Sequence, residues 1–257
     1  MVDDGTSAWF LPLNQASPDK PRILCFPSAG GGSTMFAELA EIIGPGIQLL
    51  GLSLPGRQAR FTEPACTDIS ALISSLADAV GDRPGPPYLL FGYCSGALLA
   101  FLLARVLRAR AVAQPSGLIV ASYSAPDLVK VATYLHALPP DEFWVEILSY
   151  GGIPAEIAVQ PDMREIFEPS LRADYKLLAD YRWEPSPPFE FPIAVARGRG
   201  DLANPVESLT AWSRHTRGPF SMHEMSGDHW LLAGSQQDLA AILVGQAEAA
   251  AGRGCSS

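Results

Sequence analysis

The reactive chemistry of this chain concentrates at one cysteine. Cys94 stands at the centre of Gly92–Tyr93–Cys94–Ser95–Gly96, with an apolar run before it and an apolar segment after it. Glycines on both sides of a strand-to-helix turn let the two elements approach where side chains would collide, and the central residue is held out in a strained conformation at the end of the strand. The same position is a helix N-terminus, where unpaired N–H groups and the helix dipole favour negative charge. For a cysteine that means the nucleophilic thiolate. Ser95 is the rival nucleophile, but it falls one residue late. Its side chain should turn away while its backbone N–H points inward.

A thiol nucleophile is completed by a base and by an acid that orients the base. Asp201 in RGRGDLANP follows the apolar run Pro192–Arg197, and His229 in SMHEMSGDHW follows the run Phe220–Met225. The other three histidines suit structural or surface roles: His136 and His215 fall in or near helical segments and His223 lies inside a strand. Asp228 reads as a turn residue, and Asp201 keeps a second reading as an acid ahead of a helix beginning at Pro205. Acyl chemistry also needs N–H donors for a developing oxyanion, one after the nucleophile and one from the loop after an early strand. FPSAGGG supplies such a loop, so Ala29 and Ser95 are the expected backbone donors. The loop lacks GxGxxG spacing and a P-loop lysine, which argues against a phosphate cradle.

The elements that must position these residues follow from short apolar runs alternating with amphipathic segments. Strands are expected near Arg22–Pro27, Ile47–Leu54, Tyr88–Gly92, Gly117–Tyr123, Pro192–Arg197 and Phe220–Met225. Helices are expected at Thr34–Ile43, Asp68–Val80, Ser95–Ala109, Pro205–His215 and Gln236–Ala250, with a frayed tail after Gly245. Parallel strands end on one side, so Cys94, Asp201 and His229 come to one edge. The order of nucleophile, acid and base is that of an α/β-hydrolase fold, a mostly parallel central sheet with helices on both faces. The interval from Ala125 to Pro188 exceeds an ordinary crossover. Helical periodicity at Asp141–Tyr150 and Met163–Tyr181, punctuated by Gly151–Gly152, makes it a helical lid insertion (residues 125–188) within a single domain (residues 1–257).

Composition narrows the function further. A net charge of −9 disfavours nucleic acid as a partner, because phosphate binding needs a basic surface. No apolar stretch reaches the roughly 18 to 20 residues of a membrane span, and MVDDGTSAWF has no signal-peptide pattern, so a cytoplasmic location and no membrane partner are expected. Four cysteines (Cys25, Cys66, Cys94 and Cys255) show neither CxxC pairing nor metal-ligand spacing. No metal and no cofactor are expected, and oligomeric state is not specified by the sequence.

Beyond the turn, the stretches CFPSAGGG, LPGRQARF, FGYCSGALLAFLLA, LHALPPDEFWVEILSYGGIP, LRADYKLLADYRW and SGDHWLL give the chain a resemblance, from about Arg22 to Leu239, to the type II thioesterases that accompany modular polyketide synthases and nonribosomal peptide synthetases. The resemblance implies release of acyl groups from the phosphopantetheine arm of acyl or peptidyl carrier proteins, under a lid covering an acyl chamber. Tyr93, Trp144, Leu178 and Trp230 are then candidate substrate contacts, and Arg57, Arg60, Arg172 and Lys176 candidate carrier-docking residues. Three features depart from the family pattern. Cys94 replaces the usual serine within GHSMG, Ser28 replaces the histidine of PHAGG, and Leu202–Ala203–Asn204–Pro205 replaces a more acidic turn. Because an S-acyl cysteine is itself a thioester, transfer or cyclisation onto an amine or hydroxyl stays open beside hydrolysis. A non-catalytic carrier binder and a general esterase are the remaining alternatives.

Overall fold

Strands covered on both faces must be apolar at successive positions, whereas a strand with one wet face alternates. The central strands here are of the first kind. The computed structural model describes residues 8–81, 86–149 and 160–254. Within them, β1 (Phe10–Pro12), β2 (Arg22–Phe26), β3 (Gln48–Leu52), β4 (Tyr88–Tyr93), β5 (Leu118–Ala121), β6 (Ile193–Gly198) and β7 (Phe220–Met225) form one sheet in the order β1-β3-β2-β4-β5-β6-β7. β1 runs antiparallel to β3, and the other neighbouring pairs are parallel. Sequence periodicity does not reveal β1, an edge strand of three residues ending at Pro12, where a missing N–H is tolerated.

The helices are α1 (Ala37–Ile43), α2 (Ile69–Gly81), α3 (Gly96–Ala109), α4 (Pro140–Ser149), α5 (Pro161–Ala179), α6 (Val206–Thr210), α7 (Leu231–Gly234) and α8 (Gln236–Gly254). Two expectations need correction. The segment Pro205–His215 divides into α6 and a 3-10 turn at Ala211–His215, and α8 runs on past Gly245 to Gly254 instead of fraying. The physical reason for the second is that Ala247 and Ala250 are buried against the sheet, so small side chains that read as tail composition serve as packing surface.

Alternate residues of each strand enter opposite layers. Leu24, Phe26, Leu90, Val120 and Val195 pack with Leu72 and Leu76 of α2 and with Phe101 and Leu103 of α3. Ile23, Cys25, Phe91, Ile119 and Ala194 pack with Leu39 of α1 and with Leu239 and Leu243 of α8. Burying each large apolar side chain contributes roughly 1.5–3 kcal/mol, which fixes the strand ends that carry the candidate site. Between β5 and β6 the helices α4 and α5 have a small core of their own: Leu135, Phe143, Trp144, Ile147 and Leu171, with Ala29 and Tyr175 against it. Tyr150 and the expected punctuation at Gly151–Gly152 lie outside the described residues. Among the described residues, no helix is long and apolar enough to cross a membrane.

Candidate active site

β4 passes into α3 through a left-handed residue that is not glycine: Cys94 has φ 49°. Such a backbone costs of order 1–3 kcal/mol and persists only where its surroundings hold it. They do so here. The Cys94 N–H donates to the Ala121 carbonyl at 2.8 Å, and the Cys94 carbonyl accepts from the Ala97 N–H at 2.9 Å. A Cβ on Gly92 would lie 2.2 Å from Ala97 Cα, and one on Gly96 would lie 2.2 Å from the Phe26 carbonyl oxygen. Both glycines are therefore required by close backbone approach, and the half-buried Cys94 thiol is presented at the C-terminal edge of the sheet.

Asp201 follows β6 and His229 follows β7, so the parallel sheet delivers both to that edge. His229 Nδ1 and Asp201 Oδ2 are 3.2 Å apart, and the Asp201 side chain is fully buried. Asp201 Oδ1 accepts from the N–H groups of Ala203 (2.9 Å) and Asn204 (3.3 Å), while Oδ2 also accepts from Asn204 Nδ2 (3.1 Å). Burial disfavours ionisation of Asp201, but the hydrogen bond and charge of His229, with those from Asn204 and Ala203, hold it below the usual carboxylate range. Burial likewise pulls the His229 imidazole down. Its hydrogen bonds to Asp201 and to Cys94, and the charges of both, outweigh that and push it up to about 10. The imidazole and the carboxylate are thus hydrogen-bonded to one another, and the Cys94 thiol lies close enough to raise the imidazole, an arrangement able to move a proton between sulfur and an attacking or leaving group.

The loop after β2 faces this site. Pro27, Ala29, Leu54, Ser95, Leu177 and Leu178 line one narrow cavity beside the turn, so the two expected oxyanion donors share a wall of it. Among the described residues neither the Ala29 nor the Ser95 N–H has a protein acceptor. The Gly30 N–H, in contrast, donates to Asp174 Oδ2 of α5 at 2.7 Å. Asp174 is in turn held by Arg57 through two bonds of 2.7 Å, and Arg57 Nη1 also donates to the Gly31 carbonyl at 2.9 Å.

A family model described as a thioesterase domain matches residues 21–246. The chain belongs to the thioesterase domain family. The gramicidin S biosynthesis protein GrsT of Aneurinibacillus migulanus is 32% identical over 231 residues, covering 90% of each chain. The thioesterase PikA5 of Streptomyces venezuelae is 31% identical over 90% of this chain and 82% of its own length. Among solved structures, the type II thioesterase BorB from the borrelidin biosynthetic cluster matches with a TM-score of 0.85 at 28% identity, over 94% of this chain and 98% of that one. The RedJ thioesterase from the prodiginine biosynthetic pathway in Streptomyces coelicolor matches with a TM-score of 0.79 at 30% identity, over 90% of this chain and 95% of its own. These neighbours share the α/β-hydrolase fold expected from the sequence.

Within this thioesterase-family fold, the expected substrate contacts fare differently. Leu178 lines the cavity beside Ser95 and Ala29. Trp230 is half-buried, 5.5 Å from the His229 ring and stacked on Tyr93, so it flanks the His229 imidazole. Tyr93 is a correction. It is packed in the α1–α8 layer, has no exposed surface, and its hydroxyl donates to the His229 carbonyl at 2.7 Å. Period-two alternation explains this, since Tyr93 follows Phe91 into the α1–α8 layer. Trp144 is a second correction: it is 4% exposed inside the α4–α5 core, with its indole N–H donated to Glu168 at 2.6 Å. Apolar character in a helical insertion signalled burial, and the buried surface is the insertion's own core.

Of the expected docking residues, Arg57 is buried with Asp174, Arg172 donates to Glu168, His136 and Leu138, and Arg60 pairs with Glu63 over the Trp9 ring. Lys176 is paired with Asp180. All four thus have intramolecular partners in this structure. Asp228 is the turn residue expected, accepting from the Trp230 N–H at 2.8 Å. His215 is buried among Phe101, Trp183 and Trp212 and bonded to Asp127 at 2.8 Å, a structural histidine. Sequence reasoning missed Asp174. Its signal is an acid three residues after Leu171 and four before Leu178, on the apolar face of α5, where a carboxylate must have a partner.

Proposed function

We propose that this chain releases acyl groups from phosphopantetheine thioesters on acyl or peptidyl carrier proteins, in polyketide or nonribosomal peptide biosynthesis, through an acyl-enzyme on Cys94. The observation that carries the proposal is Cys94 held left-handed at a strand-to-helix turn, on the sheet edge where His229 is hydrogen-bonded to the buried Asp201. Membership of the thioesterase family gives the reaction class. The names of GrsT, PikA5 and BorB, tied to gramicidin S biosynthesis, thioesterase activity and the borrelidin cluster, give the setting.

The steps follow from the residues. The Cys94 sulfur attacks the thioester carbonyl, and the tetrahedral oxyanion meets the Ala29 and Ser95 N–H groups. Collapse breaks the bond to the phosphopantetheine sulfur, which leaves with the proton carried by His229. A water then gives a proton to His229 and attacks the S-acyl carbon, and the acyl group departs as a carboxylic acid while Cys94 is regenerated. Asp201 keeps the imidazole oriented and stabilises its charged form. The α4–α5 segment, which places Leu177 and Leu178 over the turn, acts as the lid of residues 125–188.

A direct test compares one acyl group presented as a carrier-bound thioester and as an oxygen ester. The proposal expects thioester turnover that Cys94→Ala and His229→Ala each nearly abolish, with Asp201→Asn leaving more residual activity. Thioester turnover that survives Cys94→Ala would reject the acyl-enzyme. Adding amine acceptors to the same assay separates hydrolysis from transfer, because an S-acyl Cys94 remains open to aminolysis.

A further inference from the structure

The acid loop contains a buried amide whose four hydrogen-bonding positions the reaction scheme does not use. Asn204 is 6% exposed. Its Nδ2 donates to Asp201 Oδ2 at 3.1 Å and to the Ser122 carbonyl at 3.1 Å, and its Oδ1 accepts from the Ser124 N–H at 3.0 Å and from the Ser124 hydroxyl at 3.1 Å. The orientation of the amide is unambiguous: a backbone N–H can only donate and a backbone carbonyl can only accept. Ser122 is itself in a left-handed conformation, φ 51°, and it immediately follows Ala121, whose carbonyl accepts from the Cys94 N–H. Asn204 therefore ties the acid loop to the strand end that also anchors the nucleophile.

The oxygen it touches is the informative one. Asp201 Oδ2 is shared by Asn204 Nδ2 and His229 Nδ1, while Oδ1 is held by two backbone N–H groups. Without the amide, Oδ2 would have the imidazole as its one partner and the carboxylate plane would be free to turn about the Oδ1 contacts. Asn204 lies in the loop Leu202–Ala203–Asn204–Pro205, directly after the Asp201 it contacts. We propose that Asn204 is a positioning residue for this reaction, fixing the plane of the Asp201 carboxylate against His229 and tying it to the end of β5. The inference rests on the reading of Cys94, His229 and Asp201 as the reacting groups.

A double-mutant cycle tests it with carrier-bound acyl thioester as substrate and thermal melting as the check on folding. Asn204→Ala is expected to lower kcat roughly tenfold to a hundredfold with KM nearly unchanged, the size of effect that misplacing a catalytic group produces. In an Asp201→Asn background the same substitution is expected to cost less than about threefold, because groups acting as a unit are non-additive. A merely structural role would give equal losses in both backgrounds. Asn204→Asp keeps the shape and the Ser124 contact but turns the donor into an acceptor beside a buried carboxylate. It is expected to fall at least as far as Asn204→Ala, and it stands in if the alanine variant fails to fold. Wild-type kcat in both Asn204 variants, or equal losses in the two backgrounds, overturns the positioning role. Unchanged kcat in Asp201→Asn alone overturns the triad reading instead, so the two failures are distinguishable.

Discussion

Removing Asp174 should destabilise the protein and impair its chemistry through separate routes. The carboxylate is 9% exposed and the guanidinium of Arg57 8% exposed, and three bonds of 2.7 Å converge on the carboxylate, two from Arg57 and one from the Gly30 N–H. Breaking a buried ion pair by deleting one partner costs about 3–5 kcal/mol, because the other charge is stranded. Arg57 would keep the carbonyls of Gly31 and Ser170, which places Asp174→Ala near the lower end, about 3 kcal/mol. A chain of 257 residues loses roughly 2–4 °C of melting temperature per kcal/mol, so a drop of about 6–12 °C is expected by calorimetry. The Gly30 N–H also loses the acceptor that holds the loop carrying Ala29. Loss of one oxyanion donor costs about 100- to 1,000-fold in kcat, and a loosened loop should cost a part of that, roughly tenfold. Replacing both partners with apolar residues, Arg57→Met with Asp174→Leu, should restore most of the melting temperature but not kcat. A melting temperature within about 2 °C of wild type for Asp174→Ala would refute the stranded-charge argument, and full recovery of kcat in the double variant would refute the link to the oxyanion loop.

Cys94 should be the first thiol alkylated by iodoacetamide under native conditions, since burial pushes the Cys25 thiol far up and the half-buried Cys66 thiol up as well; peptide mapping that finds Cys66 labelled first would contradict the assignment. Cys255, the fourth thiol, lies outside the described residues. Tyr93→Phe removes the bond to the His229 carbonyl and should cost about 1–3 kcal/mol in urea unfolding with a loss of kcat, whereas an unchanged kcat would show that the base is held by other contacts. His229 is raised on folding to about 10 from an ordinary value near 6.5. Its contribution is therefore complete below about pH 6.5 and is lost as pH rises through about 10, so the gap in melting temperature between wild type and His229→Gln should narrow between those limits. A gap that holds constant to pH 10 would contradict the raised value.

The layers of the fold were legible in the sequence because their signals are local. β4, for example, is a continuous apolar run ended by glycines, and the order of Cys94, Asp201 and His229 along parallel strands already placed them on one edge. What escaped depends on contacts between distant segments. β1 is too short to show periodicity and exists because Phe10–Pro12 pairs with Leu50–Leu52. Tyr93 is misread if the residue before the nucleophile is assumed to face substrate, although alternation along β4 buries it in the α1–α8 layer, where its hydroxyl holds the His229 carbonyl. Arg57 and Asp174, separated by more than a hundred positions, look like surface charges until the β5–β6 insertion folds over the loop after β2. Asn204 reads as a loop residue of no account because its partners, Ser122 and Ser124, belong to another strand end.

Intact-mass analysis during turnover of a carrier-bound acyl thioester tests the Cys94 acyl-enzyme most directly. Quenched in acid, the wild-type chain should carry one added acyl mass on the peptide containing Cys94, and the adduct should accumulate in His229→Ala, where attack on the S-acyl carbon lacks its base. Cys94→Ala should carry none. Rapid turnover by wild type with no adduct in either protein, or an adduct mapping to Ser95 or Cys66, would contradict a cysteine nucleophile at this site.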